Sequence, residues 1–157
     1  MKKIFIRFVE KDDMMDLLSW RNDPETIIQS FNSKKVKRKE HENWFKNSLV
    51  NPKRNIFIII DSDCNKLGQI RFDKDDDIAE ISITINPDYR NKGIGNLAIS
   101  KASKIFINNF NTNKIIAKVK NNNIKSLKAF KKANYKLHKK NKDFSELWYK
   151  KDKRMSI

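Results

Sequence analysis

Between Ile78 and Asn86 the chain alternates strictly, Ala79, Ile81, Ile83 and Ile85 against Glu80, Ser82, Thr84 and Asn86. A period of two predicts a strand with one face buried. Ile115, Ala117 and Val119 repeat the pattern and predict a strand over 114–120. Residues 4–9 read as a first strand, 56–60 (Ile-Phe-Ile-Ile-Ile) as a buried one, and 66–72 as the next after a polar turn. The acidic stretch Asp73 to Asp77 is expected to turn the chain into the strand at 78–86.

Elsewhere the apolar positions recur with helical spacing. A helix is expected around 13–22 with Met14, Leu17 and Leu18 on one face, and another around 39–49 carrying Trp44, Phe45 and Leu49. Asn22 to Ser33, between them, reads as a long polar connection. A long helix over 94–109 should turn Ala98, Ala102, Ile105 and Phe106 inward, and a shorter one spans 123–133. Two last strands are expected at 135–139 and 144–150. The order β-α-α-β-β-β-α-β-α-β-β, with short turns and one right-handed β-α-β crossover, predicts an α/β (α+β) fold. Its centre is a mixed, mostly antiparallel sheet of about seven strands with helices on both faces. Residues 1–150 should form one domain and 151–157 a Lys-rich tail.

Composition narrows the function. The net charge of +16 would ordinarily raise nucleic acid as a partner. The excess is lysine spread along the whole chain, with no basic run interleaved with aromatics, so no specific nucleic-acid partner is expected. Diffuse basicity still favours polyanionic small molecules. The single cysteine, Cys64, lies in a polar turn, which excludes an internal disulfide framework and any Cys-based zinc cluster. No metal site is expected. The segment after Met1-Lys2-Lys3 breaks its apolar run at Arg7 and reads as a strand rather than a signal peptide. No apolar stretch approaches a membrane span, so no membrane partner and a cytoplasmic location are expected.

Of only three glycines, two fall in the turn Pro87-Asp88-Tyr89-Arg90-Asn91-Lys92-Gly93-Ile94-Gly95 between the alternating strand and the long helix. A helix start presents unpaired N–H groups and the positive end of the helix dipole, a natural seat for phosphate. The bland alternative is that Gly93 only supports a positive φ. A dinucleotide fingerprint wants its glycines directly at the strand end and an acid about twenty residues on, whereas here Lys118 and Lys120 occupy the next strand. A P-loop wants Gly-Lys-Ser/Thr, and Gly95 is followed by Asn96.

Arg90-Asn91-Lys92-Gly93-Ile94-Gly95 fits Arg/Gln-x-x-Gly-x-Gly/Ala and resembles the acyl-CoA-binding segment of the GNAT acetyltransferase superfamily. Asn123-x-x-Ser126-x-x-x-Phe130-x-x-x-Asn134-Tyr135 is similar to a second segment of that superfamily. The resemblance covers nearly the whole chain and implies a GNAT-like domain with a sheet splayed at a bulge. It implies acetyl-CoA as acyl donor and a small-molecule amine as acceptor. Ile83, Thr84 and Ile85 would pair with the pantetheine arm as an added strand. Arg90, Asn91, Lys92, Gly93, Ile94, Gly95 and Asn96 would hold the pyrophosphate, and Asn123, Ser126 and Phe130 would approach from the other side. Glu80 matches the position of a general base, with Ser82 ordering a water. Equally, Glu80 reads as a solvated strand carboxylate. Where the superfamily often has a tyrosine that protonates the leaving thiolate, this chain has Phe130. Asn134 replaces a usual glycine, a mild change because Asn tolerates left-handed φ.

The N-terminal third, with Trp20, Arg21, Asn22, Phe31, Asn32, His41 and Trp44, resembles the N-acetyltransferases of pseudaminic-type sugar biosynthesis. That resemblance implies acetylation of the 4-amino group of a nucleotide-linked 4-amino-4,6-dideoxy-N-acetylhexosamine. Trp20 and Trp44 would stack on sugar or base and Arg21 would meet a diphosphate. Core packing is the competing role for both tryptophans, more so for Trp44, and a structural role for His41. Alternatives are acetylation of a protein N-terminus (ribosomal-protein type) or another small amine, or a non-catalytic acyl-CoA-binding module. The chain is expected to be a monomer or a homodimer.

Overall fold

The alternating segments pair into one seven-stranded sheet in the order β1-β2-β3-β4-β5-β7-β6. The computed structural model describes residues 3–152; most of the expected Lys-rich tail, from residue 153 on, lies outside them. The strands are β1 (Ile4–Phe8), β2 (Arg54–Asp61), β3 (Lys66–Asp75), β4 (Ile78–Ile85), β5 (Lys114–Lys120), β6 (Lys136–Lys140) and β7 (Phe144–Lys150). Helices α1 (Met14–Arg21), α2 (Pro24–Gln29) and α3 (Arg38–Val50) lie between β1 and β2; α4 (Ile94–Asn109) and α5 (Ile124–Lys132) flank β5 in sequence. Neighbours are antiparallel throughout except for β4 and β5.

That parallel pair determines the site. β4 and β5 pair only from Ile78↔Lys114 to Ile81↔Ala117, although β4 continues to Ile85 and β5 to Lys120. Beyond Ile81 the sheet forks, and among the described residues the β4 edge facing β5 has no strand partner. The expected bulge is not its cause. β4 keeps an unbroken register with β3 from Asp75↔Ile78 to Gly68↔Ile85. At that far end a Cβ on Gly68 would lie 2.5 Å from the Thr84 carbonyl oxygen, so glycine lets β3 follow β4 closely as it leaves β5.

Three expectations are corrected. The polar connection contains α2: Asp23 caps it, accepting from the Thr26 N–H at 3.3 Å, and Pro24 occupies its first turn. Asp73 to Asp75 extend β3, leaving only Asp76 and Asp77 for the turn, with Asp76 at φ 57°. In α4 the inward stripe is Ala98, Ile99, Ala102, Ser103, Phe106 and Ile107, while Ile105 is turned outward, as is Leu49 of α3.

One face of the sheet (Ile70, Phe72, Ala79, Ile81, Ile115, Ala117, Leu147) packs under α4 and Phe130 of α5. Phe72, Phe106 and Phe110 stack in series there at 4.1 and 4.5 Å. The other face carries a smaller core of Leu17, Trp20, Phe45, Ile56 and Ile58 under α1 and α3.

A buried carboxylate fixes the start of α1. Asp13 is 1% exposed and meets Arg7 at 2.8 Å and Lys66 at 2.8 Å, and it accepts from the Glu10 N–H at 2.8 Å. Burial alone would raise its pKa, but the hydrogen bonds from Arg7, Lys66 and Glu10 outweigh it and hold the carboxyl at about 2. A pKa depressed on folding stabilises the protein above the unfolded value of about 3.9, and the gain is lost as pH falls from there through the folded value. Stability should therefore decline steeply between about pH 4 and pH 2. Asp13→Asn should remove that part of the slope and cost about 3–5 kcal/mol at neutral pH. Urea unfolding at several pH values measures both; an unchanged slope would remove Asp13 from the account.

Candidate active site

At the end of β4 the chain turns through Pro87–Tyr89, and α4 starts at Gly93 with φ 72°. Gly93 offers no side-chain cap and the first turn holds no acidic residue, so among the described residues the N–H groups of Ile94, Gly95 and Asn96 have no side-chain acceptor. A Cβ on Gly93 would meet nothing within 4 Å. Its backbone conformation, not packing, requires glycine, and the space over the helix start is open. Gly95 faces α5, where its Cβ would lie 3.8 Å from that of Ala129. An uncapped, open helix start without carboxylates fits a pyrophosphate.

From this turn a cleft of about 670 Å³ follows the fork to the polar face of β3 and β4, a volume typical of small-molecule sites. The structure brings together along it Glu80, Ser82, Ile83, Thr84 and Ile85 of β4, and Arg90, Asn91, Gly93, Ile94, Gly95 and Asn96 of the turn. It adds Asn123, Ser126 and Phe130 of α5, and Arg21 and Phe31. Lys92 is exposed beside it, its ammonium 5.3 Å from the Tyr89 ring.

Arg90 is engaged on the acceptor side. Its guanidinium donates to Asp23 at 2.6 Å, Glu25 at 3.0 Å and Thr26 Oγ1 at 2.9 Å, tying the turn to the first residues of α2. Burial raises the Asp23 pKa, but the bonds from Arg90 and the Thr26 N–H overcome it and leave the carboxyl below its usual range. Asn123 is likewise a cap, accepting from the Ser126 N–H at 3.3 Å.

Four residues expected at the acceptor are structural. Trp20 is 4% exposed in the smaller core, with no ring face left for a sugar. His41 is buried, its Nε2 2.7 Å from the Met14 carbonyl oxygen, and stacks on Trp44 at 5.6 Å. Trp44 is half-buried between His41 and the guanidinium groups of Arg54 and Arg71, outside the cleft. Asn22 ends α1 and clamps Val36 through its N–H and carbonyl. Both tryptophans belong to an apolar packing pattern that also suits ligand stacking, and only the third dimension separates the two.

Phe31 and Asn32 instead lie in a strap, residues 28–33, that crosses the fork, and Arg21 at the end of α1 holds it. Arg21 Nη2 donates to the Asn32 carbonyl at 2.7 Å, Lys120 Nζ to the Ile28 carbonyl at 2.9 Å, and Phe31 meets Phe144 edge-on at 5.6 Å. The sequence reading missed Gln29 and Ser30 in this roof, Gln69 and Arg71 in the floor, Lys118 and Lys120 in the wall, and Lys125, Lys128 and Lys132 on α5. Two signals were available. Lys125, Lys128 and Lys132 follow the i, i+3, i+7 spacing of one helix face, and Gln69 and Arg71 alternate toward the same face as their β4 partners Thr84 and Ser82.

Glu80 lies one residue before the last paired position of the fork, with Lys118 Nζ at 3.7 Å, and Ser82 lies just beyond it. A carboxylate and a hydroxyl thus flank the point where the unpaired β4 edge begins. Phe130 is buried and packs edge-on against Tyr135 at 5.0 Å. Tyr135 does not replace the missing hydroxyl of position 130. Its OH lies 2.7 Å from Ser103 Oγ inside the core, and burial raises its pKa far above the ordinary phenol value. Asn134 adopts φ 69°, as its place after α5 requires.

Residues 3–136 match the acetyltransferase (GNAT) domain family. Spermidine N-acetyltransferase from Vibrio cholerae, solved with CoA and spermine, superposes with a TM-score of 0.85 at 17% identity over 94% of this chain and 95% of that one. A domain from Methanocaldococcus jannaschii gives 0.84 at 26% identity over 96% and 100% of the two chains. A putative phosphinothricin N-acetyltransferase gives 0.78 at 20% identity over 94% and 98%. No curated protein sequence matches the chain.

Proposed function

The chain belongs to the GNAT acetyltransferase family, an acyl-CoA-dependent N-acetyltransferase with acetyl-CoA as donor, and we propose that it acetylates a small anionic amine by direct transfer in a ternary complex. The acceptor best matching the chain's resemblance is the 4-amino group of a nucleotide-linked 4-amino-4,6-dideoxy-N-acetylhexosamine. One observation carries the reading: a single cleft joins the uncapped α4 start, the unpaired β4 edge and the Glu80–Ser82 pair.

Acetyl-CoA supplies the activated acyl group. The N–H groups of Ile94, Gly95 and Asn96 hold its pyrophosphate, and the β4 backbone from Ser82 to Ile85 pairs with its pantetheine arm as an added strand. Glu80 takes the proton of the attacking amine, directly or through a water that Ser82 orders, and a β4 main-chain N–H stabilises the oxyanion formed with the new N–C bond; its collapse breaks the C–S bond, and CoA leaves as a thiolate that takes its proton from water. Much of the rate comes from holding amine and thioester together. The strap over the fork favours a small acceptor over a protein N-terminus.

Incubation with acetyl-CoA and a panel of amines, with release of free thiol as readout, tests this. Turnover of the nucleotide-linked amino sugar is expected. Turnover of peptides but not of the sugar would sink the acceptor assignment, and tight CoA binding without turnover of any amine would make the protein a binding module.

A further inference from the structure

The acceptor end of the cleft carries more positive charge than its own carboxylates balance. Arg54 and Arg71 share one acid, Asp73, at 2.6 and 2.9 Å. Lys118 is matched by Glu80, and Arg21 has no acidic partner among the described residues. Arg71 spends only its Nε on Asp73; among the described residues its two Nη groups have no hydrogen-bond partner. Arg21 is fixed through Nη2 to the strap, and its buried Nη1 has no partner among the described residues. Two more buried unpaired atoms, Oε1 of Gln29 and Oε1 of Gln69, belong to the same walls. Unpaired buried polar atoms cost about 1–3 kcal/mol each, and three of them fall on residues of this one cleft. As placed, both glutamine oxygens are unpaired acceptors; turning the amides end for end presents their Nε2 donors instead, in Gln69 by releasing its 3.4 Å contact to Thr84 Oγ1, and all four side chains can then turn donors toward an oxyanion.

We propose that Arg71 and Arg21, supported by Gln29 and Gln69, form an oxyanion-binding subsite for the phosphate or carboxylate carried by the amine acceptor. This rests on the acetyl-transfer reading above and makes the two arginines its specificity determinants. Guanidinium groups suit the role because they pair with planar or tetrahedral oxyanions through several N–H groups at once. Burial pulls the Arg71 pKa down, the cost of a cation held partly out of water, and a bound anion would offset it. A polyamine meets like charge here, so a cationic acceptor is disfavoured.

Calorimetric titration of the CoA-saturated protein, whose donor phosphate seats are filled, tests the subsite with UDP, glutamate and spermidine as probes. UDP or glutamate should bind with one-to-one stoichiometry, UDP identifying a phosphate carrier and glutamate a carboxylate. Arg21→Gln and Arg71→Gln should each weaken that binding at least tenfold while CoA affinity stays within twofold, and Arg71→Lys should restore part of it. CoA affinity reports folding, so if Arg71→Gln misfolds, Arg21→Gln carries the test. Binding of neither oxyanion, unchanged affinity in the folded glutamine variants, or tighter binding of spermidine would overturn the subsite. Oxyanion binding that depends on the arginines, without acetylation of any amine, would sink the transfer reading and leave the subsite standing. Acetylation of neutral or cationic amines without oxyanion binding would do the reverse.

Discussion

Gly93→Asp should raise the KM for acetyl-CoA about 100-fold, with a much smaller change in the KM for the amine. Three effects act together at this position. The backbone is left-handed at φ 72°, which Asp tolerates better than most residues, so the fold should survive. The new side chain would enter the open space over the α4 start, where a Cβ meets nothing within 4 Å. There its carboxylate can cap the N–H groups of the first turn and occupy the seat that a pyrophosphate needs. Competition and like-charge repulsion together need supply only about 3 kcal/mol to produce that factor. Gly93→Asn separates the causes: it has nearly the same shape and the same tolerance of positive φ, without the charge. Initial rates across acetyl-CoA concentration should rank wild type, Asn and Asp in order of rising KM. An unchanged KM in the Asp variant would remove the phosphate turn from the mechanism.

The donor side was legible in the sequence because its determinants are local. A strand of period two, a turn rich in glycine and a helix of period 3.6 lie consecutively, so β4, Gly93, Gly95 and α4 could be placed without tertiary information. Asn123, Ser126 and Phe130 follow from a second local segment, and all three reach the same cleft. The acceptor side was not legible, because it is assembled across the fold. Arg71 reaches the site through the β3–β4 register, Lys118 and Lys120 through β5, and Arg21 through the end of α1. Conversely Trp20 and Trp44, which look like ligand-stacking residues in one dimension, pack beneath α1 and α3 or between Arg54, Arg71 and His41. Arg90 shows a third limit. Its motif position points to a phosphate, while the structure ties it to Asp23 and Glu25. Those partners are the cap and the first turn of a helix that the polar run around Pro24 concealed.

The second large effect should come from Glu80. Its position is set by pairing: it stands opposite Asp73 on β3 and Ile116 on β5, one residue before β4 and β5 part. The side chain is half-exposed, with Lys118 at 3.7 Å as its nearest cation, a pairing too long and too wet to contribute much stability. The fold therefore loses little when Glu80 is replaced, and a kinetic loss reports chemistry. An amine must shed a proton to complete its attack, and general-base removal contributes about 10²–10⁴ in rate. Glu80→Gln keeps the shape and the strand propensity but cannot accept the proton, so kcat should fall by about 10²–10³ at neutral pH. KM for acetyl-CoA should hold, because the donor contacts lie beyond the fork. The discriminating measurement is the pH profile. If Glu80 is the base, the deficit of the Gln variant should shrink where the amine is already neutral, at high pH and with amines of lower pKa. A Gln variant with wild-type rates across pH would reduce Glu80 to a solvated carboxylate balancing Lys118. Ser82, just past the fork, would then be the group to replace next, since it alone among the polar β4 side chains lies beside the first unpaired backbone position.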